Sequence, residues 1–241
     1  MERKVPFAEK EIYHLYTRGV EKRDVFKEQT DYDRFMLLLM LCNSNEPVIF
    51  GNLRKKYRGF PSIQMLEQER SKDTLTDIIA YALMPNHLHL IVRERQAGGI
   101  SKFMLKLMTA YSMYFNTKYE RSGPLFTRPF RSQHIDTDGY FEWAFAYVLL
   151  NPLELFQKEW KERGLANSRD AAHFMYTYRY GSFCDYFGKV RPEKCILSRE
   201  ALPVEVSDLR NIDDLLAALS RDAESYQEKS FGEPVKVPAL V

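Results

Sequence analysis

Cysteine is scarce in this chain of 241 residues: Cys42, Cys184 and Cys195 are widely spaced and odd in number, which argues against a disulfide scaffold or a cysteine-rich metal knuckle. No apolar run approaches the ~20 residues that span a bilayer. The opening Met1-Glu2-Arg3-Lys4-Val5-Pro6 lacks the hydrophobic section of a signal peptide, so no membrane partner is expected and the cytoplasm is the expected compartment. Internal repeats and low-complexity tracts are also missing, which sets solenoids and linkers aside. Any marked excess of positive over negative charge is missing too: a formal net charge of +2 names no partner by itself. What is present, 45% apolar and 28% charged residues, is the composition of a folded soluble protein. The length suits one sizeable core with a smaller appendage.

Charge is more informative in its distribution. Arg54-Lys55-Lys56-Tyr57-Arg58 forms one basic cluster, and Lys102, Lys106, Lys118, Arg121, Arg128 and Arg131 mark a second region opposed only by Glu120. Basic residues interleaved with Tyr, Phe and Gly suit a groove that tracks a phosphate backbone while aromatics stack on bases; a solvated surface has the same composition.

The stretch from Ile78 to Val92 carries the sharpest signal. Two apolar runs meet at Pro85-Asn86, a turn pair, and the second begins His87-Leu88-His89-Leu90, so a hairpin of two interior strands is expected. Side chains alternate along a strand, which puts His87 and His89 on one face. Two imidazoles there can hold one metal ion or can serve as packed polar groups, and a covered face requires that they be satisfied.

Upstream, Glu11 to Gly19 reads as a first strand with His14, Tyr16 and Arg18 on one face; Arg18 and Arg23 are candidate phosphate contacts. Thr30 to Cys42 has helical periodicity, with Asp31 and Asp33 in its opening turn. Residues 51–73 are polar and basic, an excursion from the domain with a short helix near Pro61. After Gly98-Gly99, Ser101 is the expected cap of a helix reaching about Tyr119. Leu125 to Ile135 is interrupted by Pro129, contains room for a short strand, and gathers Arg128, Arg131 and His134. Asp136 or Asp138 then caps a helix in which Trp143, Tyr147 and Asn151 recur every four residues on one face. One further short helix is expected from Glu154 to Arg163, an aromatic packing surface from Tyr176 to Phe187, and a small, mostly helical appendage over 191–241.

Chemistry follows from combining these parts. A divalent ion on His87 and His89, with an oxygen from Asn151, would polarise a phosphodiester while Tyr147 supplies the nucleophile. Mg²⁺ prefers oxygen donors, so Mn²⁺ is at least as comfortable on imidazoles. Pro152 biases Asn151 away from helical backbone, which leaves its side chain the alternative of capping the helix.

In order along the chain, Tyr13-His14-Leu15-Tyr16-Thr17-Arg18-Gly19, Met84-Pro85-Asn86-His87-Leu88-His89-Leu90-Ile91-Val92, Ser122-Gly123-Pro124-Leu125-Phe126 with Arg128 and Arg131, and Tyr147-Val148-Leu149-Leu150-Asn151-Pro152 resemble the single-tyrosine transposases of the HUH endonuclease superfamily, most of all the REP-associated ones. The resemblance covers roughly residues 11–153 and places a transposase domain over 1–190. It implies an α+β fold with a central antiparallel, ferredoxin-like sheet, and a Mg²⁺ or Mn²⁺ cofactor. It further implies recognition of hairpin-containing single-stranded DNA and cleavage to a 5′-phosphotyrosine and a free 3′-hydroxyl. By the resemblance His87 and His89 are metal ligands, Tyr147 is the nucleophile and Asn151 is the candidate third ligand, in a monomer or homodimer. The alternatives are a domesticated hairpin-binding protein that does not cut, and a metal-dependent nuclease that uses water.

Overall fold

The structure, a computed structural model, describes residues 6–47, 49–59, 61–67, 73–127, 129–188, 190–203, 206, 209–221 and 226. Arg128 and the stretch 227–241 lie outside the described residues. In chain order the elements are β1 (Ile12–Arg18), α1 (Gln29–Leu41), α2 (Phe50–Lys56), α3 (Ile63–Leu66), β2 (Thr76–Met84), β3 (His87–Glu94), α4 (Gly99–Lys118), β4 (Arg131–Ile135), α5 (Asp138–Leu150), α6 (Leu153–Phe156), α7 (Trp160–Arg163), α8 (Ser168–Thr177), α9 (Phe183–Phe187) and α10 (Ile212–Ser220). The first half runs β-α-β-β-α-β, and the strands pair antiparallel in the order β2-β3-β1-β4, which is the ferredoxin-like arrangement. The strand carrying His87 and His89 is therefore interior, flanked by β2 and β1.

Alternation along these strands gives the sheet two different faces. Tyr13, Leu15, Leu83, Leu88, Leu90 and Val92 pack with α1 and α4 in one apolar layer. Ile91, Ala80 and Ala82 meet α5 in the other. A bulge between Ile78 and Ala80 resets the alternation of β2, so Ile78 and Tyr81 serve the first layer while Ile79 and Ala80 serve the second. Every residue of β2 is buried, because both of its faces are covered.

The helix starts depart from the sequence reading in instructive ways. α4 begins two residues before Ser101, and the buried Glu94 carboxylate accepts the amides of Gly99 and Ile100 at 3.0 and 2.7 Å. A carboxylate from the preceding strand satisfies the free amides and complements the helix dipole, a partner that local spacing does not reveal. At α5 the cap is Thr137, whose hydroxyl accepts from the Tyr140 amide at 3.3 Å, rather than Asp136 or Asp138. The single helix expected over Glu154 to Arg163 is two, α6 and α7, separated where Glu159 takes a left-handed φ of 60°. α8 lies in a stretch to which the sequence reading gave no element, with Ala171 and Met175 as its buried side, and α9 lies within the expected aromatic surface. Beyond 191, Ile196 and Leu197 join the layer of α1 and α4, and Leu215, Ala218 and Leu219 of α10 pack in the layer of α5.

The loop after β1 fixes the turn that precedes His87. The Gly19 amide donates to the Asn86 carbonyl at 2.8 Å, and the Val25 and Phe26 amides donate to the Pro85 carbonyl at 2.7 and 3.0 Å. A Cβ on Gly19 would lie 2.2 Å from the Arg23 carbonyl oxygen, so the loop can close only around a glycine. Gly19→Ala is expected to lower unfolding free energy by about 2–3 kcal/mol, read from urea midpoints at constant m. Gly51→Ala, where an added Cβ meets nothing within 4 Å, is the control and should be neutral or stabilising by up to about 1 kcal/mol.

Candidate active site

β1 and β3 pair so that Tyr16 stands opposite His89 and Arg18 opposite His87. Alternation then puts His14, Tyr16 and Arg18 on the same face as the two histidines. Across the strands His14 Nε2 lies 2.9 Å from His89 Nδ1, both rings being buried. His87 Nδ1 lies 2.6 Å from Asn86 Oδ1, its neighbour in the turn. Each histidine of β3 thus has its Nδ1 engaged by a separate group, which fixes the ring and leaves Nε2 to face inward.

α5 covers this face. Trp143, Tyr147 and Asn151 follow one another at helical spacing along its buried side. The Tyr147 ring centroid is 5.5 Å from that of His89 and 6.1 Å from that of His14, with Trp143 stacked on its other flank at 5.2 Å. Asn151, completely buried, brings Oδ1 to 3.3 Å from His87 Nε2. The backbone expectation for Asn151 fails: it is helical, at φ −51° and ψ −39°, despite Pro152. Its carbonyl accepts the Glu154 amide at 3.2 Å, so the chain continues straight into α6 with Pro152 as a helical N-cap. The helical backbone keeps the Asn151 side chain aimed at His87.

Burial decides the protonation of the site. Desolvation holds His14 down to about 3. It lowers His87 to about 4, with Arg18 and Lys161 adding repulsion against a partial gain from Asn151. His89 is pushed well below the ordinary range, first by desolvation and then by His14, His87 and Lys161. All three rings are neutral at pH 7, the form in which imidazole binds metal. A neutral His87 that donates from Nδ1 to Asn86 turns an Nε2 lone pair toward the carboxamide of Asn151. In the other tautomer Nε2–H donates to the amide oxygen; in this one the lone pair and the amide oxygen are both turned to where a cation would sit. Two imidazole nitrogens and an amide oxygen converging in this way fit a divalent ion, with phosphate and water as further donors. Among the described residues no group of three or more His, Cys, Asp and Glu side chains gathers for a metal, so a cation here would rest on two imidazoles and the Asn151 carboxamide.

The expected DNA contacts separate into two groups. Arg18 is exposed at the edge of the histidine face, and Arg131, exposed on β4 opposite Tyr16, has its guanidinium carbon 6.0 Å from the Tyr16 ring. These two flank the site. Arg23 lies in the loop beside the turn and pairs with Glu21 at 2.6 Å. Lys102, Lys106 and Arg121 belong to the opposite layer: Lys102 donates to Asn45 at 2.6 Å, Lys106 to the carbonyls of Ser44 and Glu46, and Arg121 to Asn116 and the Pro124 carbonyl. His134, opposite Tyr13 in the register, faces that layer as well and pairs with Glu11 at 2.7 Å. Two residues of the site were given no role by the sequence reading. His14 had the right face by alternation, but not a partner. Lys161 of α7, buried, puts Nζ 3.5 Å from the Tyr147 hydroxyl, and nothing in its local sequence signals this.

Among the described residues no helix is long and apolar enough to cross a membrane. A sequence model of the family described as "Transposase IS200 like" matches residues 9–149. No curated protein matches the chain. Among solved structures, a REP-associated tyrosine transposase bound to a REP hairpin is similar over 77% of this chain and 84% of that one, at 9% identity and a TM-score of 0.44.

The neutral rings make stability depend on pH. The unfolded chain takes up protons at its histidines below pH 6.5, whereas folded His87 and His14 resist them until about 4 and about 3. Stability is therefore full above pH 6.5 and is lost as pH falls below it, each ring adding a slope of about 1.4 kcal/mol per pH unit. Urea unfolding between pH 6.5 and 5 measures it, and His14→Phe should flatten the slope by roughly a third.

Proposed function

The chain belongs to the IS200-like transposase family, and from that premise we propose that it is a metal-dependent single-stranded DNA endonuclease and strand transferase that cuts hairpin-containing DNA through a 5′-phosphotyrosine at Tyr147. One observation carries the reading: a single helix, α5, turns a tyrosine and a carboxamide onto the sheet face where β3 holds two neutral histidines. The tyrosine is nearly buried, at 7% exposure, so the reaction takes place beside a protein wall rather than in open solvent.

His87, His89 and Asn151 would hold Mg²⁺ or Mn²⁺, which when bound would supply Lewis-acid polarisation of the scissile phosphate. Asn86 and His14 each engage Nδ1 of one imidazole and so orient the two rings. Arg18 and Arg131 draw the phosphate backbone to the edge of the site. Tyr147 Oη attacks phosphorus as the phenol proton leaves to water; the new oxygen–phosphorus bond forms as the bond to the 3′-oxygen breaks. That oxygen takes a proton from water and departs as the 3′-hydroxyl. The phosphotyrosine conserves the energy of the broken ester, and a 3′-hydroxyl can reverse the step, so the outcome is strand transfer.

Incubation of labelled hairpin DNA with Mn²⁺ is expected to give a denaturation-resistant protein–DNA adduct. Tyr147→Phe should abolish the adduct while the hairpin is still retained in a gel-shift assay. Free cleaved product without adduct means a water-using nuclease, and retention without any product means a binding protein. Arg18→Ala should weaken hairpin binding and lower the magnitude of the salt slope by about one.

A further inference from the structure

We propose that Lys161 is a catalytic residue of this site: its ammonium balances the negative charge that passes through Tyr147 Oη when the phosphotyrosine forms and when it is resolved. The inference rests on the reading of Tyr147 as nucleophile and names the group that serves it. Lys161 Nζ stands 3.5 Å from Tyr147 Oη and 4.5 Å from the ring centroid, over the aromatic face. The residue is 9% exposed. A lysine is rarely buried without a close partner, because the ammonium loses its hydration. The carboxylate of Glu154 is 3.9 Å away with half of its side chain in solvent, a loose pairing. The burial of Lys161 is therefore directed at the tyrosine rather than explained by a buried ion pair.

The position is built by the chain. Glu159 at φ 60° breaks the run after α6 and starts α7, and the Trp160 side chain, 3% exposed, anchors that short helix in the layer of α5. Lys161 follows and points back over α5. The titratable and charged groups around Tyr147 are His14 from β1, His89 from β3 and Lys161 from α7, with Glu154 of α6 behind the lysine. Among the described residues Lys161 is the ammonium that reaches the hydroxyl, 3.5 Å from it and over the ring face. In the forward step Oη gives its proton to water and bonds to phosphorus, while the 3′-oxygen is protonated by water. In the reverse step the 3′-hydroxyl loses its proton to water and Oη leaves as phenolate. Lys161 exchanges no proton in either step and acts on the charge at Oη and on the adjoining phosphoryl oxygen.

Loss of such a role slows cleavage and rejoining by the same factor, because both cross one transition state. The test uses the full-length protein, hairpin DNA and Mn²⁺ under single-turnover conditions, with wild type, Lys161→Met, Lys161→Arg, Lys161→Ala and Tyr147→Phe. Lys161→Met is expected to reduce both rate constants by roughly 10²-fold. Hairpin affinity should stay within about twofold, and Lys161→Arg should recover much of the rate. Ethylammonium at constant ionic strength should accelerate Lys161→Ala in proportion to its concentration and leave wild type unchanged, a rescue that a purely structural role would not give and that bypasses any loss of packing. Wild-type rates in Lys161→Met, or a loss that neither arginine nor ethylammonium repairs, overturn the proposal and leave the tyrosine reading intact. Absence of an adduct in wild type overturns both.

Discussion

The pairing of β1 with β3 is the constraint on which the rest of this molecule depends. Its register sets His14 opposite Ile91 and Tyr16 opposite His89, so imidazoles from two neighbouring strands share a face at the centre of the sheet. That face is covered, and a covered polar group must find its partner within the protein. The His14–His89 contact and the contacts of His87 with Asn86 and Asn151 meet this need and hold the rings in place. A one-residue slip of either strand would turn the histidines into the apolar layer of α1 and α4. Fold stability and site assembly are therefore fixed by the same backbone hydrogen bonds.

α5 completes this arrangement from outside the sheet. Ten of its thirteen residues are buried, since it lies between the sheet and the later elements, α10 among them. A helix enclosed in this way has little freedom to rotate, and its four-residue repeat transmits that fixity to Trp143, Tyr147 and Asn151 together. The stretch after 191 bears on the site through this contact: α10 packs on the flank of α5 and backs the helix that carries the tyrosine.

Much of this was legible because periodicity and turn chemistry were strong. The hairpin around Pro85-Asn86, the facing of His87 and His89, and the spacing of Tyr147 and Asn151 all follow from local pattern. The failures share one cause, a partner that lies outside the element whose local pattern was read. Glu94 caps α4 from the strand before it, which no scan of helix-start residues detects. Pro152 biases Asn151 locally, but the continuation into α6 and the contact with His87 outweigh that bias. The basic cluster on α4 looked like one groove with Arg131, yet Lys102 and Lys106 bind the loop after α1 while Arg131 sits on the histidine side of the sheet. Charge density along a sequence does not say which layer the charges occupy.

His14 and Lys161 show the same limit at the level of chemistry. Each is an isolated residue whose meaning comes from one long-range contact: His14 meets His89 across 75 positions, and Lys161 meets Tyr147 across 14. Their effects on the site are complementary. His14 engages Nδ1 of His89 without adding charge, which keeps that ring a neutral donor. Lys161 adds a positive charge beside the tyrosine and, through space, further opposes protonation of His87 and His89. The proposed reaction gathers a cation, a phosphate and a phenolate, and would need both kinds of neighbour. The neutral one would keep the imidazoles available to the cation, and the charged one would stand at the oxygen that becomes negative. Each lies on the side of the tyrosine that its role requires, because β1 and α7 approach α5 from different directions.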